Sequence, residues 1–163
     1  TFIRVGSCGT YQEYVDCGDV IISTGTFRAA GTANNYLPVE FPAVPTFEIT
    51  AALVNASKTL GLEAHVGLGL AGDAFYSPRG ERGDRDQMKQ AGLVSVEMES
   101  DTLFVLAALP GWRAGALYAC DGTASEIKPE WCEAAFRQGE EKAIRIAIQA
   151  MKNIALADAT KHV

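Results

Sequence analysis

Glu97 and Glu99 flank a methionine, Met98, just before an apolar segment that should form a buried helix. Carboxylates are costly to bury unless a partner or a ligand binds them. Strand alternation would put the two acids on one side and Met98 on the other. One carboxylate can accept two adjacent sugar hydroxyls while Met98 packs against the sugar ring. Alternatively, the acids stabilise a helix N-terminus, which explains one carboxylate better than two.

A second polar set lies near the start of the chain, where Arg4 to Gly9 reads RVGSCG. Residues 2–5 predict a buried strand that runs into a glycine-rich turn. Exposed backbone N–H groups, the Ser7 hydroxyl and the Arg4 guanidinium would together suit an oxyanion such as phosphate. The alternative interpretation is an ordinary turn with a buried arginine paired to a carboxylate.

Two adjacent aromatic residues, Phe75 and Tyr76, follow another predicted strand. Aromatic rings at a strand end can stack on a planar heterocycle. The alternative is that Phe75 belongs to the core and Tyr76 is half-exposed.

Asp121 directly follows an apolar strand predicted at 114–120. A partly desolvated acid there can protonate a leaving group, although an Asp before Gly122 is also a common turn residue. Together, an oxyanion site, an aromatic platform, a diol clamp and an acid meet the requirements for cleaving an N-glycosidic bond with phosphate. In that reaction Glu99 would orient the ribose hydroxyls and Asp121 would protonate the departing base.

Strands and helices that alternate along the chain would position these residues. Strands are predicted at 2–5, 19–24, 64–70, 93–96 and 114–120, and helices at 46–60, near Gln87, at 100–109 and from Pro129 onwards. The strands are apolar without strict alternation, which indicates an α/β domain with a central sheet covered on both faces. We expect one domain over residues 1–163, with a long loop at 31–45 and a frayed end after Ala155.

Two helices show apolar faces with helical spacing. The first face comprises Phe47, Leu53, Val54 and Leu60, and the helix should stop at Gly61. The last helix has an apolar face comprising Phe136, Ala143, Ile144, Ala147, Ile148 and Met151.

The composition excludes several classes of protein. The chain has 163 residues and a net charge of −6, which argues against binding nucleic acid or a membrane surface. Its apolar runs are too short to span a bilayer, and no segment suggests secretion. The four cysteines (Cys8, Cys17, Cys120 and Cys132) lack zinc-type spacing, so we expect reduced thiols in the cytoplasm and no metal site.

The chain resembles the nucleoside phosphorylases of the purine nucleoside and uridine phosphorylase superfamily, from Phe2 to about Met151. RVGSCG at Arg4, FYSP at Phe75 and VEMES at Val96 occur in the family's order. The resemblance implies an α/β fold of three layers, with a central mixed β-sheet flanked by helices. It also implies a homo-oligomer, either a hexamer or a trimer of dimers, that needs no cofactor and uses phosphate as co-substrate.

By position, the resemblance implies a role for each site residue. Phosphate would contact Arg4, Gly6 and Ser7, ribose would contact Met98 and Glu99, and the base would contact Cys8, Gly9, Phe75 and Asp121. The catalytic residues would be Asp121, Glu99 and Arg4. Arg137 is the nearest candidate for the arginine that supports the acid in the bacterial hexameric purine enzymes.

The motifs do not all indicate the same base. RVGSCG and Asp121 resemble the purine enzymes, whereas the loop at 31–43 resembles uridine phosphorylases. Uridine phosphorylases usually recognise uracil with a Gln-x-Arg pair that follows Phe-Tyr. In this sequence Arg82 could supply the arginine of that pair, but the glutamine is missing. We therefore favour a purine nucleoside, with a uridine phosphorylase, a nucleosidase and a non-catalytic nucleoside-binding remnant as alternatives.

The largest departure from the family is at the front of the chain. Family members carry a Gly-Asp-Pro phosphate loop, a second phosphate-binding arginine and usually a histidine before RVGSCG, and these do not occur in this sequence. We therefore expect an N-terminally truncated domain with part of the phosphate site missing and an unpaired sheet edge.

Overall fold

The computed structural model of the protein describes residues 1–76, 85–123 and 130–160. Its strands are β1 (Phe2–Thr10), β2 (Val20–Ala29), β3 (Ala64–Gly72), β4 (Ser95–Glu97) and β5 (Ala114–Thr123). Its helices are α1 (Phe47–Leu60), α2 (Arg85–Gln90), α3 (Ser100–Ala108) and α4 (Glu133–Thr160). Short 3-10 turns lie at Thr32–Asn35 and Glu130–Cys132. The predicted alternation of strands and helices is confirmed, as is the short helix near Gln87.

The strands form one mixed sheet in the order β1-β4-β3-β2-β5, and β5 pairs back with β1 to close a barrel. Three pairings are parallel (β1 with β5, β2 with β3, β3 with β4) and two are antiparallel (β1 with β4, β2 with β5). Consecutive residues of β2 face opposite sides: Ile21 packs in the core cluster with Phe104 of α3, and Ile22 in the cluster of α1 and α4. The predicted mixed sheet flanked by helices is therefore confirmed. The expected unpaired sheet edge is wrong, because each of the five strands in the described part of the chain pairs with two others.

The glycine-rich segment after Val5 does not form a turn, so that prediction is wrong. β1 continues through it to Thr10 and stays in parallel register with β5, from Phe2 opposite Ala114 to Cys8 opposite Cys120. The glycines instead permit close contacts: a Cβ on Gly9 would lie 3.1 Å from Cγ1 of Val96 on β4. Sheet pairing outweighed the local preference of glycine for turns.

Helix α1 begins one residue after the predicted start, because Thr46 is its N-cap. Oγ1 of Thr46 accepts a hydrogen bond from the Ala114 backbone N–H at 3.1 Å, which ties the helix start to β5. The helix ends as predicted at Gly61, which adopts φ of +64°. The expected packing of Phe47 is wrong: its side chain is 83% exposed, and Ile49 makes the first core contact instead.

Helix α4 contacts the core through a face that is rotated from the predicted one and shares only Ala143 and Ala147 with it. Its buried residues are Gly139, Ala143, Ile146, Ala147, Ala150 and Ile154, whereas Ile144, Ile148 and Met151 are exposed. A backbone contact sets this rotation, because a Cβ on Gly139 would lie 2.4 Å from the carbonyl oxygen of Gly18. The predicted start at Pro129 lies outside the described residues.

The expected frayed end after Ala155 is also wrong, because α4 runs to Thr160. An ion pair between Asp158 and Arg113 helps to hold this last part of the helix against the body of the protein. Although α4 has 28 residues, neither it nor any other described helix is long and apolar enough to cross a membrane.

Two of the four cysteines form a disulfide, which corrects the expectation of reduced thiols. Cys17 and Cys132 are bonded with a Cα–Cα distance of 5.6 Å, while Cys8 and Cys120 are free and buried. The bond joins the β1–β2 connection to the turn before α4. The sequence did not reveal this pair because its members lie 115 residues apart.

The Cys17–Cys132 bond should contribute measurably to stability. Replacing both residues with serine is expected to lower the free energy of unfolding by about 4 kcal/mol, since the closed loop is long. Urea unfolding of the wild type with and without dithiothreitol measures the same quantity. The double variant, which should not respond to dithiothreitol, is the control. Equal unfolding midpoints for oxidised and reduced wild type would contradict the prediction.

Candidate active site

Strand β1 connects the predicted phosphate-binding and base-binding residues. Arg4 lies opposite Ala116 of β5, and Cys8 lies opposite Cys120. Because Asp121 follows Cys120 within β5, it lies beside the end of β1 that carries Cys8. On the other side of β1, Gly9 pairs with Val96, and the chain leads from there into Glu97 to Glu99. The fold thus places three of the four predicted sets on adjacent strands.

The Arg4 guanidinium lies between both carboxylates of the opening motif. Its Nη2 donates a hydrogen bond to Oε2 of Glu99 and lies 3.5 Å from Oε2 of Glu97. The guanidinium also lies over the ring of Tyr118, 5.3 Å from its centroid. Nη1 is buried and has no hydrogen-bond partner among the described residues. The interpretation of an arginine paired to a carboxylate is therefore correct, and Arg4 still keeps donor capacity for a ligand.

Glu97 is buried and caps helix α3. Its carboxylate accepts hydrogen bonds from the backbone N–H groups of Glu99 and Ser100, each at 3.1 Å, and from Oγ of Ser100 at 2.6 Å. Oγ of Ser100 lies 2.8 Å from Oγ1 of Thr26 on β2. Burial raises the pKa of Glu97, while the Ser100 hydrogen bond and Arg4 act in the opposite direction. The helix N-terminus interpretation is thus correct for this one carboxylate.

Glu99 has a different environment from Glu97, although both reach Arg4. Its side chain is 59% exposed, against 2% for Glu97. It occupies the N-cap position of α3 without using its side chain as a cap. β4 ends at Glu97, so strand alternation does not extend to Glu99, and Met98 between them is half-buried. Glu99 is therefore the carboxylate that an incoming ligand can reach.

Asp121 lies within β5 rather than after it, because the strand continues to Thr123. The alternative of a turn aspartate is therefore wrong. Its side chain is buried, and the neighbouring Cys8 is buried with its thiol pKa raised by that burial. Asp121 is thus a buried acid beside Cys8 at the end of β1.

Phe75 and Tyr76 are both exposed just beyond β3. Phe75 is 46% exposed and packs edge-on against Tyr76, with 5.0 Å between ring centroids. The alternative that Phe75 belongs to the core is therefore wrong. β3 pairs with β4 through Ala71 opposite Glu97, so Phe75 leaves the sheet beside the carboxylate motif. The rest of the FYSP motif and the predicted uracil-reading position at Arg82 lie outside the described residues.

The structure places Arg137 on the exposed surface of α4. Its Nε donates to Glu133 at 2.9 Å, and its Nη1 donates to Glu140 at 3.3 Å. These two pairs, three and four residues apart, are typical of a solvated helix face. The suggested support of Asp121 by Arg137 stays a prediction.

Sequence reasoning missed Arg28, which organises the loop after β2. Its guanidinium donates hydrogen bonds to four acceptors: the carbonyl oxygens of Leu37, Pro38 and Phe41, and Oδ1 of Asn34. The loop is also tied to the end of β3, where Oδ2 of Asp73 accepts a bond from the Gly31 N–H at 2.7 Å. An arginine between the strand predicted at 19–24 and a loop rich in Asn and Pro was the available signal.

The close approach of Arg4 and Gly6 makes a sharp prediction. A Cβ on Gly6 would lie 1.8 Å from Nη1 of Arg4, so Gly6→Ala should displace the guanidinium. The flexible Arg4 side chain can move, and we therefore expect a change of less than about 1 kcal/mol in the free energy of unfolding. Phosphate affinity, measured by calorimetry, should fall at least about 10-fold, as expected when a charge-assisted hydrogen bond is lost. Gly61→Ala, at the end of α1, is the control that should change stability only.

Unchanged phosphate affinity in a folded Gly6→Ala protein would show that the position of the Arg4 guanidinium does not matter for phosphate.

Known proteins with similar sequences match nearly the whole chain. The chain is 37% identical to the uridine phosphorylase of Thermococcus kodakarensis, over 99% of its own length and 60% of that protein. It is also 37% identical to the guanosine phosphorylase of Halorubrum lacusprofundi, over 93% of its length and 64% of that protein. The chain thus spans less than two thirds of the length of these curated relatives.

A solved structure gives the same result at the level of the fold. The purine nucleoside phosphorylase of Toxoplasma gondii, in complex with immucillin-H, superposes with a TM-score of 0.81 and 28% identity. The match covers 93% of this chain and 62% of that one. A family model described as the phosphorylase superfamily matches residues 1–156. Since that match extends over nearly the whole chain, the protein belongs to the phosphorylase superfamily.

Proposed function

We propose that the protein is a nucleoside phosphorylase, a pentosyltransferase that cleaves the N-glycosidic bond of a nucleoside with phosphate. The products are the free base and ribose 1-phosphate. The contact between Arg4 and Glu99 carries this proposal, because it joins a phosphate-binding group to a hydroxyl-binding group. Phosphate is the co-substrate, and no cofactor enters the proposed reaction.

Phosphate would bind beside β1, where Arg4 supplies the guanidinium and Ser7 a hydroxyl. Gly6 contributes the space in which the guanidinium lies. Glu99 would accept the ribose hydroxyls, and Met98 would pack against the sugar. Phosphate is thereby held next to the sugar carbon that it must attack, which lowers the entropic cost of bringing the two reactants together.

The base would lie between Phe75 and the end of β1, against Cys8 and Gly9. In the reaction a phosphate oxygen bonds to the anomeric carbon of ribose while the bond from that carbon to the base nitrogen breaks. Asp121 supplies a proton to the base, so that the leaving group departs neutral. The oxocarbenium character that develops on the ribose is stabilised by the phosphate anion.

A purine is the favoured base, because Asp121 provides the proton that a purine ring nitrogen can accept. A uridine phosphorylase is the second candidate, and it is supported by the similarity to enzymes named uridine phosphorylase in Thermococcus kodakarensis and Escherichia coli. The relatives include a guanosine phosphorylase at equal identity, so similarity alone favours neither base.

The test is base release from inosine, guanosine, adenosine and uridine, each with and without phosphate. We expect release only with phosphate, formation of ribose 1-phosphate in equal amount, and faster release from purine nucleosides. Arg4→Gln should lose this activity, whereas Arg145→Gln, on the exposed side of α4, should not. Equal release without phosphate would indicate a nucleosidase. Nucleoside binding without turnover would indicate a non-catalytic protein.

We also propose that the chain forms a homo-oligomer. Apolar side chains are exposed together on the outer side of β2 and β3, namely Phe27, Val44, Val66 and Leu68. A Cβ on Gly25 would lie 3.1 Å from Leu68 and 3.7 Å from Val44, so these side chains adjoin one another. An exposed patch of this kind supports self-association. Light scattering should give a multiple of the chain mass, and Leu68→Glu should reduce it.

The proposed compartment is the cytoplasm, where nucleosides and phosphate are both available. The Cys17–Cys132 bond favours an oxidising compartment instead. Alkylation under denaturing conditions at the moment of cell lysis, which exposes the buried Cys8 and Cys120, decides between them. Four modified cysteines support the cytoplasm, and two support an oxidising compartment.

A further inference from the structure

We propose that Glu97 is a positioning residue that holds the Arg4 guanidinium towards phosphate when Glu99 turns to the ribose. This inference rests on the proposed function and adds a residue that touches neither substrate. Arg4 has two carboxylate partners in the structure. One carboxylate is enough to accept two adjacent sugar hydroxyls.

The two carboxylates differ in how firmly they are held. Glu97 is almost completely buried, and its oxygens accept bonds from the backbone of α3 and from Ser100. Ser100 is held in turn by Thr26 on β2. Glu99 is largely exposed and makes its contact with Arg4 from the N-cap position. Glu97 therefore cannot leave without unpairing the start of α3, whereas Glu99 can exchange Arg4 for solvent or a ligand.

This difference determines what happens when a nucleoside binds. As the ribose hydroxyls take the carboxylate of Glu99, Arg4 loses one of its two partners. Glu97 keeps the guanidinium in place over Tyr118, and Nη1, which has no hydrogen-bond partner among the described residues, remains a donor that phosphate could use. Without Glu97, the long arginine side chain would regain the rotamers that the phosphate site requires it to give up.

Glu97 also influences the ribose side of the site. The backbone N–H of Glu99 donates a hydrogen bond to the Glu97 carboxylate. The Glu97 carboxylate therefore helps to fix the backbone position from which the Glu99 side chain extends. The binding of phosphate and the binding of ribose therefore both depend on the buried carboxylate of Glu97. We expect the phosphate side to depend on it more, because Arg4 is long and flexible while the backbone of Glu99 is also held by α3.

The test compares Glu97→Gln, Glu99→Gln and Asp101→Asn. Asp101 is the matched control: it is a buried acid in the first turn of α3, and its carboxylate bonds to Thr102 rather than to Arg4. Glu97→Gln should raise the KM for phosphate at least about 10-fold, as expected for a weakened charge-assisted contact. Glu99→Gln should chiefly raise the KM for nucleoside and lower kcat. Asp101→Asn should leave both KM values within about 3-fold of wild type.

Thermal unfolding separates positioning from a general structural role. If Glu97→Gln lowers Tm while the KM for phosphate stays unchanged, Glu97 is structural only and the inference is overturned. If Glu97→Gln and Glu99→Gln raise the KM for phosphate equally, the assignment of Glu97 as the permanent partner is also overturned.

A measurement without substrate keeps the inference testable if the protein shows no phosphorylase activity. Nuclear magnetic resonance of the arginine side chains reports hindered rotation of a paired guanidinium. Restriction of Arg4 should persist in Glu99→Gln and Asp101→Asn and be lost in Glu97→Gln. Free rotation of Arg4 in the wild type, or persistent restriction in Glu97→Gln, would overturn the inference. Failure of the proposed function would appear separately, as absence of turnover by wild-type protein.

Discussion

Asp121→Asn should slow phosphate-dependent cleavage of purine nucleosides by about 10²- to 10⁴-fold, the usual contribution of a general acid. Asparagine matches aspartate in shape but cannot transfer a proton to the departing base. The position is buried near the end of β5. Water therefore has little access to the site and cannot readily replace the lost acid as proton donor. Steady-state kinetics with inosine and guanosine measure the effect.

Uridine is the internal control for this variant, because its cleavage should change little when Asp121 is replaced. Asp101→Asn tests whether the loss of any buried carboxylate has the same consequence. An equal loss of activity towards inosine and uridine would contradict the assignment of Asp121 as the acid that protonates a purine. Unchanged purine cleavage would remove Asp121 from the mechanism.

Arg28→Met should lower the free energy of unfolding by about 3–5 kcal/mol, as is typical when one partner of a buried charged network is removed. Arg28 is buried and donates to three loop carbonyls and to Asn34. Methionine fills similar space but leaves these acceptors without a donor. Urea unfolding of the variant measures the loss. Arg145→Met, at an exposed position of α4, should change stability by less than about 0.5 kcal/mol.

The pH dependence of the Arg28 variant provides a second check. Burial raises the pKa of Asp101, and Arg28 opposes that increase. A carboxyl whose pKa is raised by folding destabilises the protein as pH rises from its unfolded pKa to above its folded pKa. Removing Arg28 raises the folded pKa further, so the defect should be smaller at pH 5 than at pH 7. An equal loss of unfolding free energy at both pH values would show that Arg28 does not affect the pKa of Asp101.

Much of the fold could be predicted because its signals are local. The stop of α1 at Gly61 follows from the left-handed backbone that glycine tolerates. Apolar runs marked all five strands, although β2 and β5 extend several residues beyond the predicted ends. Strand length depends on the neighbouring strand, and pairing with β3 and β1 carries these two strands through residues that look like turns when read alone.

The site residues were predicted as a set, but not their separate roles. The motif at Glu97 to Glu99 could be recognised because two acids beside an apolar helix need partners. Which acid caps the helix and which one stays exposed depends on where β4 ends and where Arg4 reaches. The importance of Arg28 was missed because three of its four acceptors are backbone carbonyls, which carry no residue-specific signal.

The sequence by itself determined the α/β class, the order of the elements and the residue types that can hold phosphate, ribose and a base. These properties follow from periodicity and side-chain chemistry, which are local. The tertiary structure alone decided the continuation of β1 through its glycines, the Cys17–Cys132 bond and the different environments of Glu97 and Glu99. Each of these depends on contacts between residues far apart in the chain, and the fold brings them together only when strands from different regions become neighbours in one closed sheet.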